Sequence, residues 1–543
     1  MDKPARILIV DNLPQWCEEL VETLQREGFH AASASRVTEA LELLNENLYH
    51  VLVIDIRMNE TDHDNVEGIK LLQELDNRGL SEATKVIMLS AYGTEEQMRA
   101  AFREYKVADF LSKNKFTKQV FLESVRWVFS EKVNINLELE SHWQPRSSVE
   151  QAVLNLEVGG IHAKRGTPLH SQLSTELDDL LCRLFYKAKS IRVRPLTPGR
   201  SGTGVLLVKP FYNNRGIGQE VIVKFGDFSK VEEEYNNFKE YVQPFLGGGR
   251  NTTVLDLRRT PHLGGIIYSL LGRSNDELMD FGEFYRQAGF PQIRSALDRL
   301  FLDTCGDWYA NRGPLHYLDL TADYQRSFGY TIEELEHVIT RQLKSVRGRQ
   351  KLVFKSLNSE TTYTNPLLAT TGLSLVRPTY TCTTHGDFNQ HNLLVDSSGH
   401  VWLIDFQGTG QSHILRDVAM LDSTVRLQLL KKEEATLEER LQMEEALLEN
   451  IERFSQVEHL THRFPTQKAA LAKAYDTIVH LRMLAHKLVA QNPSDDISEY
   501  YIALLYSALY TLCFSSLSSC QREHALLSAS LLADQLGLGN QRR

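Results

Sequence analysis

At 543 residues the chain is too long for a single hydrophobic core, and usual domain sizes suggest about three units. A content of 42% hydrophobic and 24% charged residues is that of folded globular protein and excludes extended disorder. The net charge of -10, without a clustered Lys/Arg stripe, argues against nucleic acid as the main partner.

Met1-Asp2-Lys3-Pro4 leads straight into a strand with no leader pattern, and six scattered cysteines show no metal-like spacing. A reduced, cytoplasmic setting is expected. Ile7-Leu8-Ile9-Val10 ends at Asp11, Val51-Leu52-Val53-Ile54 at Asp55, Val86-Ile87-Met88-Leu89 at Ser90, and Asp109-Phe110-Leu111-Ser112 at Lys113. Apolar runs of this length, with amphipathic helical segments between them, are the pattern of parallel strands buried on both faces. In an open doubly wound sheet the carboxyl edge is where sites form. One Asp after a strand is an ordinary helix cap; four endings carrying Asp, Asp, Ser and Lys are not explained by capping.

Residues 1–130 resemble the receiver domain of bacterial two-component response regulators, a doubly wound, flavodoxin-like fold with a five-stranded parallel sheet. The resemblance implies that Asp55 accepts a phosphoryl group from a sensor histidine kinase. It implies further that Asp11, Asp55 and the backbone carbonyl of Arg57 hold Mg²⁺, with Asn12 beside them. Ser90 and Lys113 would contact the phosphoryl oxygens, and Phe110 stands where the family has its switching aromatic. The sequence departs from the family in two ways: Asn12 replaces an acidic residue, and Asn114 follows Lys113 where Pro is customary. Fewer anionic oxygens weaken Mg²⁺ binding. Asp62 and Asp64, in the loop after Asp55, are either substitutes for that carboxylate or simply solvated. The rival reading is a degenerate receiver used only for docking.

Residues 131–175 read as a connector that can be ordered in part, with Pro145, Gly159-Gly160 and Arg165-Gly166-Thr167-Pro168 as breakers. A capped helix follows from about Ser174. Pro198-Gly199-Arg200-Ser201-Gly202-Thr203-Gly204 then lies between strand-like runs. Glycines allow a backbone to approach phosphates closely and aim N–H groups at them. The strand Val221-Ile222-Val223-Lys224-Phe225 places a Lys among apolar neighbours, and the next helix holds Glu232-Glu233-Glu234. In a kinase fold such a Lys contacts nucleotide phosphates and is held by a Glu. Glu234 is the chosen partner; the spacing also admits Glu233.

The stretch Thr384 to Gly410 is the most informative in the chain. Leu393-Leu394-Val395 and Val401-Trp402-Leu403-Ile404 flank Asp396-Ser397-Ser398-Gly399, which reads as a hairpin with a polar turn. That hairpin brings Asp387 and Asn392 beside Asp405. A carboxylate able to take a hydroxyl proton, with an amide oxygen and a second carboxylate as hard ligands, is the minimal equipment for phosphoryl transfer. His385-Gly386-Asp387, Asn392 five residues after the aspartate, and Ile404-Asp405-Phe406 resemble the catalytic core of aminoglycoside phosphotransferases and choline kinases.

That resemblance implies an α+β, two-lobed protein-kinase-like domain, with an N-lobe at 176–275 and a large helical C-lobe at 276–543. It implies ATP and Mg²⁺ as cofactors. Gly199, Ser201, Gly202, Thr203, Gly204, Lys224 and Glu234 would serve the nucleotide, Asn392 and Asp405 the metal, and Asp387 catalysis. The helical insert before His385 would build an acceptor pocket, with Asp303, Trp308, Tyr309 and Tyr317 as unranked candidates. The arrangement as a whole is similar to the kinase-like ternary-complex-associated domains of bacterial signalling systems. The function implied is a response regulator whose output is a phosphotransferase acting on an unidentified hydroxyl. The alternative is an inactive, nucleotide-binding scaffold controlled by the receiver.

Two later segments are read from composition. Lys431 to Glu449 is heavily charged and reads as a solvated surface helix. Tyr500 to Gln521 carries no charge, but its tyrosines and serines suit a buried core helix better than a membrane span.

Overall fold

The computed structural model describes residues 3–58, 67–91, 99, 102–196, 202–213, 216–245, 252–270, 278–343, 346–355, 360–514 and 516–540. The chain forms two compact units, Met1–Tyr235 with Val254–Ser269, and Asn236–Thr253 with Leu270–Arg543.

The first unit opens with β1 (Arg6–Val10), α1 (Pro14–Arg26), β2 (His30–Ala34), α2 (Val37–Glu46), β3 (Val51–Ile54), α3 (Glu67–Asn77), β4 (Lys85–Ser90), β5 (Asp109–Ser112) and α4 (Lys118–Val128). The five strands lie parallel in the order β2-β1-β3-β4-β5. Alternation of side chains explains the unbroken apolar runs. Leu8, Val10, Leu52, Ile54 and Met88 enter one core, while Ile7, Ile9, Val51, Val53 and Ile87 enter the other. Gly68 lets α3 begin directly against the end of β3, because a Cβ there would fall 2.0 Å from the Asp55 carbonyl oxygen.

The segment anticipated as a connector is folded. Its strand β6 (Glu140–Trp143) joins a second sheet, and Leu139, Val153, Leu156, Val158 and Ala163 enter that sheet's core. There follow α5 (Pro168–Leu184), β7 (Ser190–Pro195), β8 (Gly204–Tyr212), β9 (Val221–Asp227), α6 (Phe228–Asn237), β10 (Thr252–Arg259) and β11 (Leu263–Leu270). The main strand order is β10-β11-β9-β8-β7-β6. Thr167 caps α5 by accepting from His170 N, with Pro168 in the first turn. Leu173, Leu177, Leu180 and Leu181 of that helix pack on the sheet.

The second unit contains a three-stranded sheet of β12 (Leu278–Asp280), β14 (Leu393–Asp396) and β15 (Val401–Leu403), and a strand pair of β13 (Thr381–Thr384) with β16 (Gly410–His413). The expected hairpin is present, with Leu393 opposite Leu403 and Val395 opposite Val401. Helices α7 (Arg416–Ser423), α8 (Leu437–Leu448), α9 (Ala469–Val489), α10 (Ser498–Leu512) and α11 (Ser519–Gln535) make up much of the remainder.

The charged stretch at 431–449 differs from its reading as a solvated face. Arg440, Met443, Glu444 and Leu447 of α8 are buried, because α11 and Arg426 supply partners for the charges. The uncharged stretch from Tyr500 is the almost wholly buried α10. Among the described residues no helix is long and apolar enough to cross a membrane.

Candidate functional site

Three constellations of polar side chains stand out. The first lies at the carboxyl edge of the parallel sheet. Lys113 Nζ lies 2.6 Å from Asp11 Oδ2 and 2.5 Å from Asp55 Oδ2, and all three side chains are buried. Ser90 Oγ donates to Asp55 Oδ1 at 2.6 Å, and Arg57 N donates to the same oxygen at 3.2 Å. Leu13 N holds Asp11 Oδ1 at 2.9 Å. Burial pushes the Asp11 carboxyl above its ordinary range, an effect that Lys113 only partly offsets. Asn12 Oδ1 is buried and has no hydrogen-bond partner among the described residues. An orphaned hard oxygen beside two carboxylates suits a small divalent cation such as Mg²⁺.

Phe110 is half-buried on β5 and packs against the sheet's core. Asp62 and Asp64 lie outside the described residues. Trp16 was not singled out from the sequence. Its ring lies 5.2 Å beneath Lys113 Nζ and edge-on to Phe116.

The second constellation is in the second sheet. Lys224 Nζ lies 2.6 Å from Glu234 Oε2, with the two side chains 2% and 1% exposed. Tyr268 OH also donates to Glu234. Glu233 faces solvent, so it is Glu234 that meets the lysine. Gly204 opens β8 opposite Phe225, whose ring a Cβ at 204 would strike at 2.3 Å. Gly202 has φ +73 and passes its carbonyl to Glu157 N at 3.1 Å, while Thr203 is buried. Gly199 and Ser201 lie outside the described residues.

The third constellation belongs to the second unit. Asp387 follows β13 through His385 and Gly386, whose amides donate to Asp417 Oδ2 and Oδ1 at 2.8 and 2.9 Å. Gly386, at φ +84, passes so near the carbonyl of Gly408 that a Cβ would fall 2.0 Å from its oxygen. Asn389 Nδ2 and Asn392 Nδ2 each donate to Asp387 Oδ2 at 2.9 Å. Ile404 N donates to Asn392 O at 3.1 Å, which ties the two sides of the hairpin together just before Asp405. Asp405 itself adopts the left-handed region at φ +72, a conformation uncommon for a residue with a Cβ.

Asp387 is held above the usual carboxylate range, first by desolvation and then by the negative charge of Asp405. Asn389 was not singled out by sequence, although a donor two residues after an aspartate is a common turn arrangement. Of the acceptor-pocket candidates, Trp308 and Tyr309 are buried, whereas Tyr317 is 77% exposed. Among the described residues no group of three or more His, Cys, Asp or Glu side chains is arranged to hold a metal. The first and third constellations each combine carboxylates with amide oxygens instead.

Comparison with known proteins agrees with this division. Residues 7–126 match the response regulator receiver domain, and residues 188–362 and 356–513, more than half of the chain, match ternary complex associated domain 9. Over 111 residues the chain is 32% identical to the transcriptional regulatory protein GlrR of Escherichia coli (strain K12), covering 20% of this chain and 23% of GlrR. Over 107 residues it is 35% identical to an uncharacterized 14.6 kDa protein of Leptolyngbya boryana, covering 20% of this chain and 77% of that protein. Solved structures similar to it include a CheY-like receiver domain protein from Methanospirillum hungatei JF-1, at 21% identity and TM-score 0.21, covering 24% of this chain and 96% of the other. The HemR receiver domain of Leptospira biflexa is 27% identical, with TM-score 0.20, covering 24% and 95%. The parallel sheet with its acid pocket is thus the receiver domain of a two-component system, and the chain belongs to the ternary complex associated domain 9 family.

Proposed function

We propose that the chain is a response regulator whose output is an ATP- and Mg²⁺-dependent phosphotransferase acting on a hydroxyl acceptor. The observation that carries this reading is the pair Asp387 and Asp405. A buried carboxylate whose proton affinity is raised by desolvation and by the charge of a second carboxylate, Asp405, is unfavourable for folding alone. The pair becomes useful where a divalent cation and phosphate oxygens meet. The buried Lys224–Glu234 pair adds support, since apolar residues of similar size often stabilise a core as well or better.

In the receiver, an Asp55 carboxylate oxygen attacks the phosphorus of a phosphohistidine on a sensor histidine kinase, and the P–N bond breaks. Ser90 and Lys113 already touch Asp55 and would contact the arriving oxygens. Lys113 must then exchange part of its contact with two carboxylates for one with the phosphoryl group. In the output domain the acceptor oxygen bonds to the γ-phosphorus as the bond to the β,γ-bridging oxygen breaks, and Asp387 takes the acceptor proton. Asn389 and Asn392 orient that carboxylate. Asn392 and Asp405 in one domain, and Asp11, Asn12 and Asp55 with the Arg57 carbonyl in the other, would hold Mg²⁺, which neutralises phosphoryl charge. No part of this depends on strong base chemistry, because the transition state of phosphoryl transfer is loose.

The test is ATP turnover by the full chain and by Asp387→Asn. A fall of about 10²- to 10⁴-fold is expected for a group that takes a proton in the transition state. Equal and negligible turnover in both proteins would instead favour a nucleotide-binding scaffold. Labelling of the chain by acetyl phosphate with Mg²⁺, lost in Asp55→Ala, checks the receiver step.

A further inference from the structure

The two strands that bring Asp55 and Ser90 to the acid pocket have a second role at their opposite ends. His50 immediately precedes β3, and Ala83 lies two residues before β4. Both grip α5. His50 Nε2 lies 2.7 Å from Asp179 Oδ1, Arg183 Nε donates to Asp179 Oδ2 at 2.6 Å, and Arg183 Nη1 donates to the carbonyl of Ala83 at 2.9 Å. The three side chains are no more than 6% exposed. Arg6 N donates to His50 Nδ1 at 2.9 Å, which leaves the ring's proton on Nε2, where it points at Asp179. Lys85 N in turn donates to the carbonyl of His50 at 2.9 Å, and Thr84 Oγ1 to that of Tyr49 at 2.8 Å.

The other face of α5 rests on the strand beside Lys224. A Cβ on Gly265 of β11 would fall 2.9 Å from Leu180 Cδ2 and 3.0 Å from Leu184 Cδ1. Gly265 pairs with Phe225 and Ile266 with Lys224. Glu176 fastens the same helix to the β10–β11 turn, accepting from Thr260 Oγ1 at 2.6 Å and His262 N at 2.9 Å. The helix is therefore clamped between the base of the receiver and the sheet that carries the lysine.

We propose that His50, Asp179 and Arg183 are positioning residues that convey the state of Asp55 to Lys224, with β3 and β4 as struts and α5 as the bearing between them. Drawing Ser90 toward a phosphoryl group on Asp55 slides β4 against β3. The slide is felt at the strands' opposite ends, where one carboxylate binds to both through His50 and Arg183. A rigid helix packed on Gly265 passes the displacement to β11 and β9. The significance of this movement for catalysis rests on the proposed phosphotransferase, whereas the mechanical coupling does not.

The test is hydrogen exchange on the full chain, with and without beryllium fluoride and Mg²⁺ as a phosphoryl mimic on Asp55. The mimic is expected to alter exchange at Leu177–Leu184 and Gly265–Ile267 by about fivefold or more, the lower end of ordinary coupling between sites. Asp55→Ala should abolish every response. Asp179→Asn should keep the response in β3 and β4 and lose it in α5 and β11. His50→Gln, which retains an N–H donor toward Asp179, should preserve the response, and His50→Ala should not; this pair decides the matter if Asp179→Asn fails to fold. Unchanged exchange in wild-type α5, or an undiminished response in Asp179→Asn or His50→Ala, overturns the proposal. Failure of every variant to bind a fluorescent ATP analogue would sink the phosphotransferase reading and leave the exchange comparison standing.

Discussion

With Asn12 in place of a carboxylate, the described residues of the acid pocket include two acidic side chains and one ammonium, so their formal charge is one negative when Asp11 and Asp55 are ionised. A divalent cation gains less there than in a pocket with three acids. Asn12→Asp is expected to tighten Mg²⁺ binding roughly tenfold, a modest share of the Coulomb energy of one added charge at close range. Trp16, beside Lys113, gives the readout, since displacement of the ammonium alters its fluorescence. In the other domain the sign of the Asp387 shift predicts a pH effect. A carboxyl whose folded proton affinity is raised costs stability in full above the raised value, and the cost fades as the pH falls from there to the ordinary carboxylate value. Asp387→Asn is therefore expected to melt at a higher temperature than wild type near neutral pH, with the gap closing as the pH falls through the Asp387 titration. Positions 11, 55 and 90 were readable because each ends an apolar run, and Lys113 because it ends a fourth strand-like segment in series with them. Trp16 was not, since its contact depends on side-chain direction across elements, and Asn389, two residues from its partner, carried only the weak signal of a common turn arrangement.

Elements show the same contrast. β1, β3 and β4 announce themselves as branched apolar runs, but β2 is His-Ala-Ala-Ser-Ala, with no β-branched residue. It is a strand because β1 offers it a parallel partner, and its small Ala31 and Ala34 fit the two cores. Helix α8 misleads in the opposite sense, since its charges look solvated and are not. Arg426 reaches Glu444 at 2.8 Å and Asp422 at 3.2 Å, and Tyr500 OH donates to Asp422 at 2.9 Å. Burial alone would raise the Glu444 carboxyl, but Arg426 and His524 bring it down to about 2. The imidazole of His524 is itself pushed down by burial. Arg440 Nη1 donates to its Nδ1, so it meets Glu444 as a neutral Nε2–H donor, and the charge pairing is Arg426's.

A lowered carboxyl contributes stability that is present above its ordinary value and lost as the pH falls from about 4.5 toward 2. Glu444→Gln should be less stable than wild type at pH 7 by about 3 kcal/mol, and the difference should vanish near pH 2 in urea titrations. Arg426→Met, which strands two buried carboxylates, should cost about 3–5 kcal/mol at neutral pH. No single helix reveals such a network, because its members come from α7, α8, α10 and α11 and the segment after α7.

At the scale of the molecule, the receiver was legible from its four strand endings. The extent of its unit was not. The segment at 131–175 reads as a connector with some order, and its glycines and prolines do not show how much: β6 extends the second sheet and Leu139, Val153 and Leu156 fill its core. Turn residues mark where the backbone bends and carry no information on whether the bends are buried against something. The receiver and the second sheet should therefore open together. Native-state hydrogen exchange in rising urea is expected to give amides of β3, β4, β9 and β11 one shared opening free energy. Separate values for the two sheets would show that the dock on α5 is weak.

The sequence order of the units has its own result during synthesis. Residues 254–269, which supply β11 as the neighbour of β9, are translated only after 236–253, which belong to the other unit. A nascent chain ending near Tyr235 thus exposes the Lys224 strand as an open edge, an invitation to pair with another copy. Translation pauses or premature stops in that window should yield insoluble product, whereas release a few dozen residues later should not.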